Sequence, residues 1–557
     1  MRMSPFRSRA AMQTKTAALA AALAAAAFGA PACADLNEEV VTGVTSPYLN
    51  TTTGYEDLVR AAYRYTREFY GRERGFSLTE YGVDTFTKGS DGSFKYLNDY
   101  TPQLNAADAN VRDVWRFMYE GINAANAVVG RAANVSMDER LKTRRVAEAR
   151  FLRAFYYFHL VQLFGDVHLT LEETTAPTSE ATRTPAAEVY RAILDDLAFA
   201  EANLDVTTSD YGRATKGAVQ HLLAKVYLTR GQEGDFAKAA EYAQQVIASG
   251  QYALLPRWLN VFDQRNERHR EVVWAIQYTP DPLTNSGGTP VPGTTGYANG
   301  NNGHLYFLME YDVLPGMQRT IEYGRPFKRF RPTNYLLGLY DQQKDSRYRD
   351  GFQVMWRANN AGTIPKDASG RPRFAVGDTA VFLPGRELPA AEIASKPYRI
   401  YTPSQYSTRI YPTTIKFLDP LRPSVSEEGG SRDYLVFRLA ETYLIAAEGL
   451  LRAGRAAEAL PYINAVRRRA AFPGFEAQME LTVDQLTLDA ILDERARELA
   501  GESMRWFDLV RTGKLLDRVK AHNVDARDNI KEFHVLRPIP QTQVDRTAGG
   551  FPQNPGY

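Results

Sequence analysis

The chain runs to 557 residues, with 67 Lys and Arg against 65 Asp and Glu, 44% hydrophobic residues and a single cysteine. That balance excludes intrinsic disorder, leaves no dense basic block as a footprint for nucleic acid, and rules out an intrachain disulfide, so packing must supply stability. Tyr leads the aromatic residues at 32, beside 27 Phe and 5 Trp, which suits surfaces that present an apolar face and a polar tip together.

The first element is a secretion signal, residues 1–32. Arg2, Arg7, Arg9 and Lys15 precede the apolar run 17–28, then Gly29-Ala30-Pro31-Ala32-Cys33, with no acidic residue before Asp35. This is a charged n-region, an h-region and a small-residue cleavage site. Its apolar run falls well short of the roughly 20 residues that span a bilayer. Removing residues 1–32 takes away four positive charges and no negative ones, leaving 63 basic against 65 acidic residues. Two readings of Cys33 stand at this point. As the first mature residue its thiol is a site for lipid, which would anchor the protein to a membrane. Alternatively, Ala30-Pro31-Ala32 serves the ordinary signal peptidase and leaves a soluble product. Ala30 stands where lipoprotein signals usually carry Leu, yet a lone thiol in an oxidising compartment calls for an explanation that lipidation supplies.

Residues 33–276 read as mostly helical. Apolar residues recur at helical spacing through 56–70, 110–133 and 139–164, and the aromatic density of Phe151–Phe158 marks a buried helix. Thr184-Pro185 opens the next one, where a missing N–H costs nothing. Two helix pairs repeat a small/large pattern. In the first, Ala224, Tyr227 and Gly231 are followed by Ala239, Ala243 and Val246. In the second, Ala447, Leu450 and Gly454 are followed by Ala459, Ile463 and Val466. The second fits the positions of a tetratricopeptide pair; the first needs a three-residue insertion in its turn. An unrelated helical bundle is the alternative.

Between the pairs, residues 277–431 form a stretch rich in Pro, Gly, Asn, Thr and Tyr. The interleaving of Tyr, Phe and Trp through 306–356 argues for an ordered, loop-rich insertion, preceded by a short strand at Val273–Ile276. Helix is expected again over 432–470, 484–500 and 502–512, within a C-terminal region 432–557. The fold class is mostly α, a tetratricopeptide-like helical-repeat core carrying a loop-rich insertion.

Catalytic and cofactor motifs are absent from the sequence. The seven His never fall at metal-ligand spacing, and no HExxH, GxSxG, Walker-type or dinucleotide loop occurs. Neighbouring acids such as Glu172/Glu173 point apart and make no evident glycosidase pair. Binding is the better reading. A sugar offers a flat C–H face that Tyr or Trp covers and a rim of hydroxyls that Asn, Asp and Arg read. Two stretches combine these types: Tyr81, Asp84, Phe86, Tyr96, Asn98, Asp99 and Tyr100; and Tyr297, Asn299, Asn301, Asn302, Tyr306, Tyr311 and Tyr323. The site residues expected are Tyr81, Asp84, Tyr96, Asn98, Tyr297, Asn301, Asn302 and Tyr306. Trp115, Trp258, Trp274 and Trp506 sit on apolar patterns and read as core.

Several segments together resemble the SusD/RagB family of nutrient-binding outer-membrane lipoproteins. They are Arg150-Phe151-Leu152-Arg153-Ala154 with Phe164-Gly165-Asp166-Val167; Arg438-Leu439-Ala440-Glu441-Thr442-Tyr443-Leu444-Ile445-Ala446-Ala447-Glu448; Arg505-Trp506-Phe507-Asp508-Leu509; and Pro538-Ile539-Pro540 with the ending Gln553-Asn554-Pro555-Gly556-Tyr557. The charged residues of these motifs read as ion pairs that lock helices together. The resemblance implies a SusD-like α-α superhelix, no enzymatic activity and no cofactor. It implies a lipid on Cys33, a cell-surface location, a shallow glycan site on loops and a SusC-like TonB-dependent transporter as partner. A secreted glycan hydrolase and a tetratricopeptide scaffold that binds only proteins are the alternatives.

Overall fold

The computed structural model describes residues 46–281 and 300–557. Cys33, the signal sequence and Tyr297 lie outside them. Residues 50–557 cluster together.

Long helices form where expected, and short polar side chains start them. Asp108 accepts from the amide of Val111 at 2.7 Å and opens Ala109–Arg131; Asp138 accepts from Leu141 at 2.8 Å and opens Glu139–Phe164. Each satisfies one of the donors that a helix start leaves unpaired. From Phe151 to Leu160, every side chain of the second helix is buried, so it forms the centre of the main core. Gly121 lets the two helices approach, since a Cβ there would lie 2.6 Å from the ring of Tyr156.

The two repeat pairs fold as helix hairpins: Lys216–Arg230 with Asp235–Ala248, and Leu439–Arg452 with Ala456–Ala470. The added residues of the first turn are absorbed by Gly231 and Gly234, both in the left-handed region at φ +62° and +79°. Although far apart in sequence, the hairpins pack against each other through Ala224, Leu228, Ala239, Ala243, Ile445 and Ala446. Gly449 faces the backbone of the other hairpin, where a Cβ would stand 2.7 Å from the carbonyl oxygen of Phe236. Small residues at this seam permit backbone contact, the packing of a mostly α, tetratricopeptide-like superhelix.

One segment differs from expectation. Residues 434–438, read as helix, form a strand that pairs antiparallel with Val272–Ile276. Tyr434–Arg438 is a short apolar run, and such runs do not distinguish a buried strand from a buried helix by periodicity. This two-stranded stem brings the ends of the insertion together. The amide of Tyr278 donates to Asp433 Oδ1 at 2.8 Å just beyond it. The insertion has its own core, in which Met309, Tyr311, Trp356, Phe374, Val381 and Tyr411 are buried. Strand Thr379–Phe382 pairs antiparallel with Met355–Arg357 and parallel with Arg399–Ile400.

A buried ionic network joins the insertion to the helices. Arg347 pairs with Asp345, Glu494 and Glu498 at 2.7, 2.7 and 2.9 Å. Arg438 reaches Glu498 at 2.6 Å and Glu502 at 2.7 Å, and Lys416 reaches Glu502 at 2.7 Å. The motif charges therefore lock helices, through partners distant in sequence. At the C-terminus, Asn554 donates to the carbonyls of Phe164 and Arg537 at 3.0 and 2.8 Å, and so straps the tail over the main core.

Candidate functional site

Strand Phe86–Lys88 pairs antiparallel with Phe330–Pro332, and this pairing brings together the two stretches singled out in the sequence. Beneath the junction most of the expected residues are buried. Tyr81 is fully buried, donates to the carbonyl of Arg329 at 3.0 Å and packs its ring 4.4 Å from that of Phe330. Asn98 accepts from the amide of Gly82 and donates to Thr87 Oγ1. Asn301 accepts from the amide of Gly303 and donates to the carbonyl of Arg432, both at 2.9 Å. The hydroxyl of Tyr306 accepts from the amide of Glu73 at 3.1 Å. Asp84 is held by Arg505. Burial opposes ionisation of its carboxyl, but the Arg505 guanidinium outweighs that and keeps it below the usual carboxylate range. Phe86, Tyr100, Tyr311 and Tyr323 are also buried. These residues brace the loops from inside.

Tyr96 and Asn302 keep part of their surface. Asn302 accepts from Arg72 Nη1 at 3.1 Å and donates to the carbonyl of Glu428 at 3.1 Å. The same loops carry residues that the composition argument passed over. Phe327 is partly exposed, and the guanidinium carbons of Arg325 and Arg329 stand 5.1 and 5.2 Å from its ring centre. Arg329 pairs with Glu73 at 3.1 Å and with Asp91 at 3.2 Å, while Arg325 pairs with Glu428 at 2.9 Å. Phe94, next to Tyr96 with ring centres 6.3 Å apart, is partly exposed too.

The backbone on both sides is unusual. Phe94 has φ +62° and Lys328 φ +47°, a region that bulky residues enter only when their surroundings impose it, at roughly 1–3 kcal/mol each. What imposes it is on view. Gly89 donates to the carbonyl of Arg329 at 2.7 Å and Asp91 to that of Lys328 at 3.3 Å, so the 89–96 loop is fastened over 328–329. The result is a shelf on adjoining loops that carries two partly exposed aromatic patches, Phe94 with Tyr96 and Phe327, together with Arg325 and Arg329. The sequence signals that point to it are an aromatic after the glycine- and serine-rich run 89–93, and Arg325-Pro326-Phe327-Lys328-Arg329, an aromatic bracketed by arginines.

Chemically the shelf offers ring faces and hydrogen-bond donors. Its acids, Glu73 and Asp91, are paired with arginine. Among the described residues no cluster of His, Cys, Asp and Glu is suited to a metal ion, and no helix is long and apolar enough to cross a membrane.

A family model described as "SusD family" matches residues 270–557, more than half of the chain. The chain belongs to the SusD family. A second model of SusD-like proteins, "Starch-binding associating with outer membrane", matches residues 55–228. Two SusD-type relatives align along most of their length. "SusD-like protein P2" of Formosa agariphila is 29% identical over 94% of this chain and 97% of its own. "Starch-binding protein SusD" of Bacteroides thetaiotaomicron is 26% identical over 83% and 82%. Solved SusD-like structures share the fold. A "Laminarin binding SusD-like protein" superposes with TM-score 0.68 at 24% identity, covering 91% of this chain and 100% of that one. "Surface glycan-binding protein A" from Bacteroides thetaiotaomicron, solved with laminarihexaose, superposes with TM-score 0.68 at 22% identity over 90% and 99%.

Proposed function

We propose that this SusD-family protein binds an oligosaccharide at the cell surface on the Phe94–Phe327 shelf. The observation that carries this is the convergence of two partly exposed aromatic patches with arginine and asparagine donors on adjoining loops, on backbone held in a rarely adopted conformation. Aromatic faces suit the C–H face of a sugar and the donors suit its hydroxyls. Tyr96 and Asn302 are contact residues in this reading. Tyr81, Asp84, Asn98, Asn301 and Tyr306 hold the shelf from below, and Tyr297 belongs to the same expected set. Relatives described as starch-binding and laminarin-binding support a glycan as the ligand class.

The same proposal extends to delivery. The protein sits on the outer membrane through lipid on Cys33, and passes ligand to a SusC-like TonB-dependent transporter. Neither a cofactor nor nucleic acid enters this role, and binding rather than turnover is its output. Glycan-array binding followed by titration tests it: Phe327→Ala weakens the captured glycan about tenfold with little change in thermal stability. Hydrolysis of a bound glycan, lost on changing one acidic residue, would assign a hydrolase instead. Co-purification of a β-barrel transporter on gentle extraction tests the partner. Retention in the membrane by Cys33→Ala without the transporter would overturn the tether.

A further inference from the structure

The loop that carries Phe94 has one charge of its own. Across residues 89–94, a run of Gly, Ser, Asp, Gly, Ser and Phe, Asp91 is the sole charged side chain. Its carboxylate pairs with Arg329 at 3.2 Å and stands 3.9 Å from Lys328 Nζ. Gly92, at φ +113°, crosses Arg329 so closely that a Cβ there would lie 2.3 Å from its Cδ. Ser90 adds a backbone hydrogen bond to the carbonyl of Thr408 at 2.8 Å.

The two cations do not depend on Asp91. Arg329 also pairs with Glu73 and Lys328 with Glu310, both at 3.1 Å, and none of these four side chains is more than 18% exposed. The side chain of Asp91 is 56% exposed. Interior charge therefore stays matched whether or not Asp91 is engaged, so its pairs act on the loop rather than on the fold. An exposed pair of this kind shifts an equilibrium by a factor of about two to five and is screened by salt, whereas buried pairs are screened much less. What the pair works against is the backbone of Phe94, at φ +62°, a conformation that persists only while its surroundings impose it.

We infer that Asp91 is a positioning residue of the shelf: its ion pairs with Arg329 and Lys328 hold the 89–94 loop, and with it Phe94, in place for a saccharide, so that affinity falls with ionic strength even for an uncharged ligand. This rests on the shelf being the saccharide site. The physical cause is lost pre-organisation, because a loosened loop must be ordered again on binding.

Titration calorimetry of the intact protein tests it with two uncharged probes, laminarihexaose and maltohexaose, at about 20 mM and about 500 mM NaCl. At least one probe is expected to bind the parent, and to bind about two- to fivefold more weakly at the higher salt. Asp91→Asn removes the charge but keeps an oxygen for the amide of Gly92, which donates to Asp91 Oδ1 at 2.7 Å. This variant is expected to bind at low salt as weakly as the parent at high salt, and to lose the salt response; Asp91→Glu restores part of it. Asp91 is exposed, so thermal unfolding of Asp91→Asn should match the parent. If it does not, amide exchange across 89–94 in the parent alone, expected to quicken at high salt, carries the comparison. A salt response that survives Asp91→Asn, or none in the parent, overturns the inference and leaves the shelf standing as the site. Failure of both probes to bind the parent tells against the shelf itself, and the inference falls with it.

Discussion

Arg505 grips Asp84 through two hydrogen bonds, Nε at 2.7 Å and Nη2 at 2.6 Å, across 421 residues of sequence. Both side chains are buried, and Arg518 adds a third contact at 3.3 Å. The pair ties the loop before strand Phe86–Lys88 to the helix Arg505–Arg511.

Asp84→Asn keeps the shape and removes the charge, leaving a buried guanidinium without its counter-ion. The expected loss of stability is about 3–5 kcal/mol, the range for breaking one side of a buried pair. Urea unfolding of the variant beside the parent measures it, and a change under about 1 kcal/mol would show that the pair does not anchor this loop.

Glu80 sets the response to alkali. It is fully buried, accepts from the amide of Met504 at 3.2 Å, and burial pushes its carboxyl up to about 8. A carboxyl raised in the folded state favours folding fully at pH below the unfolded value of ~4.5. That contribution is lost as pH rises through about 8. The whole span is worth on the order of 5 kcal/mol. Glu80→Gln keeps an acceptor for Met504 and removes the titration. Denaturant unfolding at pH 5, 7 and 9 should show the parent losing ground to Glu80→Gln as pH rises; parallel profiles would refute the assignment.

Gly449 reports on the seam between the helix hairpins. Alanine is the better helix former by about 1 kcal/mol. Here its methyl would meet backbone, at 2.7 Å from the carbonyl of Phe236 and 2.9 Å from the amide of Ala240, and backbone cannot swing aside. The clash wins, so Gly449→Ala is expected to destabilise by roughly 1–3 kcal/mol. Gly454→Ala meets no atom within 4 Å but sits at φ +77°, so a comparison of the two separates contact from backbone strain.

Asn554 is one fastening of the tail strap, beside Gln553 on Ile539 and Tyr557 on Leu536. Asn554 serves the carbonyls of Phe164 and Arg537 and accepts from Arg183 Nη2 at 2.7 Å. Asn554→Ala leaves two carbonyls without that donor, each worth about 1–3 kcal/mol when buried. Limited proteolysis should release the C-terminal tail faster from the variant, and thermal unfolding should begin earlier.

The helical scaffold was legible because its signals are local. Glu139–Phe164 was readable to the residue, since a run of apolar positions between good helix formers has one solution. The helix pairs were readable because small residues recur at the spacing of a close hairpin, whereas the packing of one pair on the other was not. The strand Tyr434–Arg438 was not, because its partner lies more than 150 residues away and its own run suits either state. The site was only partly legible. Tyr81, Asn98, Asn301 and Tyr306 have the composition of a sugar-binding surface, but Tyr and Asn also satisfy buried backbone groups beneath loops. Sequence does not distinguish the two until the chain is closed. Phe94 and Phe327 escaped because Phe94 follows a glycine- and serine-rich run and Phe327 stands between arginines, and only the pairing of Phe86–Lys88 with Phe330–Pro332 brings their loops together.

The stem formed by Val272–Ile276 and Tyr434–Arg438 has a consequence for exchange between relatives. Its two strands end side by side, so the segment between them is a cassette with adjacent ends, of the kind that can be swapped without re-threading the helices. Arg347 and Lys416 belong to that cassette, while Glu494, Glu498 and Glu502 stay with the scaffold. A donor cassette that lacks either cation would leave those carboxylates to the scaffold's own arginines, Arg438, Arg467 and Arg469. Such a cassette therefore matches a recipient scaffold best when a basic residue at each of those two positions travels with it.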